Sequence, residues 1–108
     1  MGGGNGGGQT ITLRSYINES NQQRAVKMRG LPWRVTEQEI LEFFEGYPIQ
    51  SSDIVIEETD GRRTGFGLVF MPTEDDAEKA IGELDRKEIG TRWIGLSTPQ
   101  LPRGNSQY

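Results

Sequence analysis

Two stretches of this chain open on a threonine followed by acids and then carry apolar side chains at helical spacing. Around and between them, Val26-Lys27-Met28-Arg29 alternates apolar with basic residues, and Ile54 with Ile56 and Ile94 with Leu96 share a face, as in strands. In Thr36-Glu37-Gln38-Glu39 the first hydroxyl and the fourth carboxylate have the spacing at which each caps the other's backbone amide, and Val35 and Ile40 fall at the positions of a hydrophobic staple. Ile40, Phe43 and Phe44 then make one helix face apolar, while Glu39, Glu42 and Glu45 line the other up to a stop at Gly46. The second stretch begins at Pro72-Thr73 and places Glu74, Asp75 and Asp76 in the first turn, where the helix dipole favours acids. It continues with an apolar stripe of Ala77, Ala80, Ile81 and Leu84. Strands are predicted at residues 26–29, 53–57, 65–71 and 92–96, the middle two joined by the turn residues Thr59-Asp60-Gly61-Arg62.

The order β-α-β-β-α-β specifies an α+β sandwich of the ferredoxin-like plan, a four-stranded antiparallel sheet with both helices on one face. Residues 25–97 hold all of it. Six of the 15 glycines fall in residues 1–8, and such a run cannot bury enough apolar surface to offset its ordering entropy. Residues 1–24 are therefore expected to be a flexible Gly/Asn/Gln-rich tail, with Ile11, Leu13, Tyr16 and Ile17 as the one part able to dock on the domain. From Thr98 the composition turns to Pro, Gln, Gly, Asn and Ser, so residues 98–108 are expected to be a disordered C-terminal tail.

The chain has no Cys and no His, which removes disulfides, thiol nucleophiles, imidazole bases and the zinc sites built from those ligands. No metal or other cofactor is expected, and no apolar run approaches the length of a membrane span. The expectation is a soluble intracellular monomer. The formal net charge is −4, and residues 25–97 alone carry 9 Lys and Arg against 15 Asp and Glu, a net of −6. The acids concentrate in the helices, whereas Arg29, Arg34, Arg62, Arg63 and Arg92 fall at strand ends and loops. A domain acidic as a whole can thus present a locally basic rim, because exposed charges beyond a Debye length are largely screened.

The ferredoxin-like plan serves many functions, so function has to be read from the open sheet face and its loops. The third strand, Thr64-Gly65-Phe66-Gly67-Leu68-Val69-Phe70-Met71, resembles the third-strand signature of the RNA-recognition motif, keeping Gly65, Phe66, Gly67 and Val69 and departing at positions one, five and eight. In this register Phe66, Leu68 and Phe70 point to the open face, either as a base platform or as a strip covered by the tail through Tyr16 or Ile17. On the first strand Lys27 stands where that family usually stacks an aromatic.

Two further motifs are more specific. Arg29-Gly30-Leu31-Pro32-Trp33, followed after two residues by Thr36, resembles the Arg-Gly-Leu-Pro-aromatic segment of the quasi-RNA-recognition motifs of the heterogeneous nuclear ribonucleoprotein F/H family and of related epithelial splicing regulators. Asp85-Arg86-Lys87-Glu88-Ile89-Gly90-Thr91-Arg92-Trp93-Ile94 is similar to that group's Asp-Arg-x-x-x-Gly-x-Arg-Tyr-Ile, with Trp93 in place of Tyr. The resemblance implies binding by loops, with Arg29, Trp33 and Trp93 enclosing guanines of a single-stranded tract and Arg86 and Arg92 as supporting cations. Phe66 departs from the quasi group, whose third strand tends to be polar there, so a mixed reader using sheet and loops is also open.

Independently of the resemblance, an exposed aromatic face stacks a base for about 1–3 kcal/mol, and an Arg fork suits guanine O6 and N7 or phosphate oxygens. Each residue keeps a bland alternative: Trp33 folded under its loop against Pro32, Trp93 shielding the sheet edge, Arg62 and Arg63 at a solvated hairpin tip, Arg86 paired with Glu83 or Glu88. The leading expectation is a non-catalytic module that binds single-stranded, purine- or G-rich RNA within a nuclear splicing or RNA-processing factor, where other RNA-processing proteins are possible partners. The alternative is a peptide-binding domain that uses the acidic stripe of Glu39, Glu42 and Glu45. An acylphosphatase-like enzyme is disfavoured, because Pro32 and Trp33 stand where a phosphate cradle needs successive free amides.

Overall fold

Both threonines cap the helices they precede. The Glu39 amide donates to Thr36 Oγ1 (3.1 Å) while the Thr36 amide donates to Glu39 Oε1 (3.0 Å), and the Asp76 amide donates to Thr73 Oγ1 (3.0 Å). The computed structural model describes residues 9–100. In chain order it has β1 (Ala25–Arg29), α1 (Glu37–Phe43), β2 (Ile54–Thr59), β3 (Arg62–Phe70), α2 (Glu74–Leu84), β4 (Glu88–Ile89), β5 (Arg92–Trp93) and β6 (Gly95–Ser97), with 3-10 turns at Leu13–Tyr16, Gln22–Arg24 and Ser51–Asp53.

The sheet runs β2-β3-β1-β6 with every neighbouring pair antiparallel. The β2–β3 hairpin closes through Asp60 (φ 53°) and Gly61 (φ 80°), two left-handed residues whose twist suits a two-residue connection. Val26 and Met28 of β1, Val69 of β3 and Leu96 of β6 turn to the helices, where they meet Ile40 and Phe44 from α1 and Ala77 and Ala80 from α2. The staple pair Val35 and Ile40 is fully buried, which fixes where the chain enters α1. Tyr47, after α1, donates its hydroxyl to Glu83 of α2 (2.6 Å). Partial burial, followed by that bond and the charge of Glu83, pushes its phenol up to about 12. This is the expected ferredoxin-like α+β sandwich. No helix among the described residues is long and apolar enough to cross a membrane.

Three expectations need correction. The last strand, expected over residues 92–96, is split. Arg92 and Trp93 pair with Ile89 and Glu88 in a separate two-stranded hairpin, and only Gly95–Ser97 joins the sheet. Ile94 is the pivot, because its side chain is buried, its amide donates to the Lys87 carbonyl and its carbonyl accepts from the Arg86 amide.

The chain before β1 departs from the expected flexible tail from residue 9 onward. Ile11 exchanges both backbone hydrogen bonds with Glu58, Gly61 donates to the Gln9 carbonyl, and the Leu13 amide donates to Glu57 Oε2 (3.2 Å). Residues 9–24 thus form a strap that pairs with the free edge of β2 and continues onto the open sheet face. At the other end, the Gln22 side chain donates to the Pro99 carbonyl (2.6 Å), and Pro99 is buried, so the ordered chain runs past Thr98. Residues 1–8 and 101–108, which complete the expected tails, lie outside the described residues.

The strap also resolves the apolar strip on β3. Leu68 faces away from the helices as expected, but it is 0% exposed, and Leu13 of the strap is 5% exposed beside the same groove. Phe70 is half-buried with the Arg24 guanidinium 5.8 Å from its ring centroid. Phe66, at 37% exposure, alone of the three stays open. A buried leucine contributes about 1.5–3 kcal/mol relative to an exposed one, so covering Leu68 with Leu13 gives the strap a driving force its Gly-rich beginning lacks.

Candidate nucleic-acid interface

Three loops meet at the end of the sheet where β1 finishes. Leaving β1, the chain turns at Gly30 (φ +85°), and a Cβ there would lie 2.6 Å from the Trp93 carbonyl oxygen. Glycine is required both for the turn and for the close approach of the two loops. The Leu31 amide then donates to the Gly65 carbonyl (3.0 Å), and Leu31 is buried, which ties the loop to β3. Val35 is anchored in the core, so Trp33 is carried at the loop's apex and stands 68% exposed. The alternative that folds it under Pro32 is not what forms.

Trp93 is presented by the β4–β5 hairpin, which turns through Gly90 (φ +64°). It sits directly opposite Glu88, and its indole N–H donates to Glu88 Oε2 (3.0 Å). That bond orients the ring while leaving the residue 65% exposed, so it does not shield the sheet edge. Arg29, at the end of β1, lies across Gly95 of β6, and any Cβ at Gly95 would strike the arginine side chain.

The result is a cleft of ≈ 710 Å³ that brings together Arg29, Trp33, Phe66, Arg86, Arg92 and Trp93. This is within the range of sites that hold small organic ligands, about 300–1,000 Å³. Two indole faces and a phenyl ring stand among three guanidiniums, so the cleft can stack planar rings and donate hydrogen bonds to acceptor-rich edges or phosphates. Among the described residues the ion pair found is Arg63–Glu58 (3.1 Å), so Arg29, Arg86 and Arg92 are not neutralised by acids. In particular Arg86 does not pair with Glu83 or Glu88, the latter being engaged by Trp93.

The other three expected site residues lie outside this cleft. Lys27 is one row down the open face, its Nζ 5.1 Å from the Phe66 ring centroid. Arg62 lies beside Trp33 in a shallow depression at the hairpin end. Arg63 is committed elsewhere, bonded to Glu58 and donating to the Val35 carbonyl (2.7 Å), so its role is to brace the loop that carries Trp33. Sequence reasoning missed Glu88 as the residue that orients Trp93. The Gly90-Thr91 pair flanked by Ile89 and Arg92 is the turn signal that would have placed the two residues opposite each other.

Arg86 has a left-handed backbone (φ 71°), a conformation that costs a non-glycine residue about 1 kcal/mol or more. The turn is enforced by its own amide, which donates to the Ile94 carbonyl (2.8 Å). Keeping a long cation in a position that favours glycine is explained if the side chain serves the cleft. Arg86→Gly is therefore expected to leave the unfolding midpoint unchanged or raised while weakening RNA binding severalfold. Parallel thermal melts and anisotropy titrations check this, and a drop in stability with unchanged affinity would assign Arg86 to the fold.

A sheet of this topology, with aromatic and basic loops at one end, has the architecture of an RNA recognition motif. The sequence profile of the RNA recognition motif family matches residues 26–94, and the chain belongs to that family, in its quasi-RNA-recognition-motif type. It is 37% identical over 70 residues to heterogeneous nuclear ribonucleoprotein F of Bos taurus, a stretch that is 64% of this chain and 17% of that protein. It is 35% identical over 72 residues to G-rich sequence factor 1 of Mus musculus, covering 64% and 15%. The chloroplastic 33 kDa ribonucleoprotein of Nicotiana sylvestris matches over 91 residues at 28% identity, covering 83% and 28%. The chain thus spans less than a third of the length of each of these relatives.

Among solved structures, the Glorund qRRM2 domain is 40% identical with a TM-score of 0.63, the match covering 70% of this chain and 88% of that one. A G-rich RNA sequence binding factor 1 from Homo sapiens is 29% identical with a TM-score of 0.64, covering 70% and 79%. The module is of an RNA-binding, non-catalytic family.

Proposed function

We propose that the cleft binds a short guanine-rich stretch of single-stranded RNA and that the domain works within a nuclear splicing or RNA-processing factor. The observation that carries this reading is the pairing of two exposed indoles, Trp33 and Trp93, with Arg29 in one cleft. Guanine offers two acceptors, O6 and N7, to an arginine fork, whereas adenine sets an amino donor beside its N7, so the same cleft disfavours A. The likeness to a G-rich sequence factor and to a heterogeneous nuclear ribonucleoprotein supports the base preference and the nuclear setting. The peptide-binding alternative has less support, because Glu39 of the acidic stripe is spent on the helix cap and Glu42 accepts from Gln38.

The test is a titration of backbone amide shifts with short G-rich, A-rich and U-rich RNAs. Shifts are expected to concentrate at residues 29–35 and 86–93, with G-rich RNA bound most tightly. Shifts confined to α1, or no preference among the bases, would overturn the reading. Attraction in a net acidic domain has to come from the free arginines, so three or four phosphates are neutralised. At about 0.7 counterions per phosphate on a single strand, the log–log salt slope is expected near −2 to −3. A slope of zero would remove the arginines from the phosphate contacts.

A further inference from the structure

We propose that Gly95 is a positioning residue for RNA binding, the missing side chain that lets Arg29 run across β6 and hold its guanidinium in the loop cleft. The proposal rests on the RNA-binding reading above. Arg29 stands between Phe66 of β3 and Gly95 of β6 and lies directly opposite each. Residues opposite one another in a sheet share a face, so the arginine side chain has a phenyl ring on one flank and an empty position on the other. It takes the empty one. A Cβ at residue 95 would fall 2.9 Å from Arg29 Cγ and 3.2 Å from Cδ, and nearer still to Nε, so its three nearest neighbours would all belong to that one side chain.

The backbone gives no other reason for glycine here. Gly95 has an ordinary strand torsion, unlike Gly30, so residues with a Cβ can adopt its conformation. A glycine within a strand weakens it and marks a place where something else comes close. At Gly30 that neighbour is a backbone carbonyl, which cannot yield, whereas at Gly95 it is a flexible side chain. An added methyl group at residue 95 therefore moves Arg29 and leaves the sheet in place. Arg29 is exposed and forms no ion pair among the described residues, so its placement in the cleft depends on packing, and Gly95 supplies the room. An arginine confined before the RNA arrives gives up less rotamer freedom on binding.

A double-mutant cycle on Gly95→Ala and Arg29→Ala tests this, with a GGG trinucleotide titrated by fluorescence anisotropy. Gly95→Ala alone is expected to weaken binding by about tenfold, within the range for losing an arginine contact to guanine. Its unfolding midpoint is expected to be unchanged or raised, since replacing a glycine at an ordinary torsion narrows the unfolded ensemble. In Arg29→Ala protein the same methyl group is expected to cost no further affinity. In free Gly95→Ala protein the Arg29 Nε–Hε resonance is expected to shift while those of Arg86 and Arg92 hold. An equal loss with and without Arg29, an unmoved Arg29 resonance or a lowered midpoint would overturn the positioning role. So would parent-like binding by Gly95→Ala, and losses for Arg29→Ala and Trp93→Ala would then leave the cleft reading standing. If those two variants are silent as well, the cleft reading falls, and the role of Gly95 falls with it.

Discussion

Replacing Trp33 or Trp93 with alanine is expected to weaken G-rich RNA binding by about 1–3 kcal/mol each, roughly fivefold to 150-fold in Kd, while the unfolding free energy changes by less than about 0.5 kcal/mol. The asymmetry follows from the geometry. At 68% and 65% exposure neither indole contributes much to the core, and a stacking face turned to solvent has its energy to give to a base. The two differ in one respect. Trp93 is held by Glu88, so Glu88→Gln keeps a weaker acceptor and is expected to cost less than Trp93→Ala, whereas Trp33 has no such side-chain partner among the described residues. Calorimetric or anisotropy titrations beside urea melts separate the two effects. A fall in stability comparable to the fall in affinity would mean that the tryptophans hold the loops together and that another part of the molecule meets the RNA.

Leu13→Ala is expected to destabilise the domain by about 2–4 kcal/mol, in the lower part of the range for truncating a buried leucine to leave a cavity. An effect that large from a residue twelve positions before the first sheet strand is the signature of a seated strap. The lost methyl groups open a cavity in the groove that Leu13 and Leu68 share, and the unfolding transition in urea should move to lower concentration with little change of slope. Tyr16→Ala, at a neighbouring position that is 45% exposed, is expected to cost well under 1 kcal/mol and serves as the control. Equal, small effects at both positions would mean that the strap leaves the sheet freely. Trinucleotide affinity should survive in folded Leu13→Ala protein, because Leu13 does not line the loop cleft.

What the sequence determined by itself was whatever rests on contacts between near neighbours. The Thr36 and Thr73 caps, the Val35–Ile40 staple, the left-handed Asp60-Gly61 turn and the alternation in β1 are each settled within a few residues. Those local choices agree with one another, and their order leaves a single sandwich plan. The arginine and tryptophan positions were legible for the same reason, since each belongs to a short motif around one turn. Three features were decided only by the tertiary structure. Ile94 leaves the expected last strand, its side chain buried in the core and its backbone bonded to Arg86 and Lys87, and Trp93 pairs with Glu88 and not with the sheet. Arg63 and Arg62 look alike in sequence, yet only Arg63 reaches Glu58 and the Val35 carbonyl 28 positions away, and so leaves the set of free cations. The strap has no periodic pattern of its own. Its apolar residues were legible as able to dock over the β3 strip, but that Leu13 and not the exposed Tyr16 is the one buried follows from an unpaired β2 edge and from Leu68, surfaces that exist only once the sheet has formed.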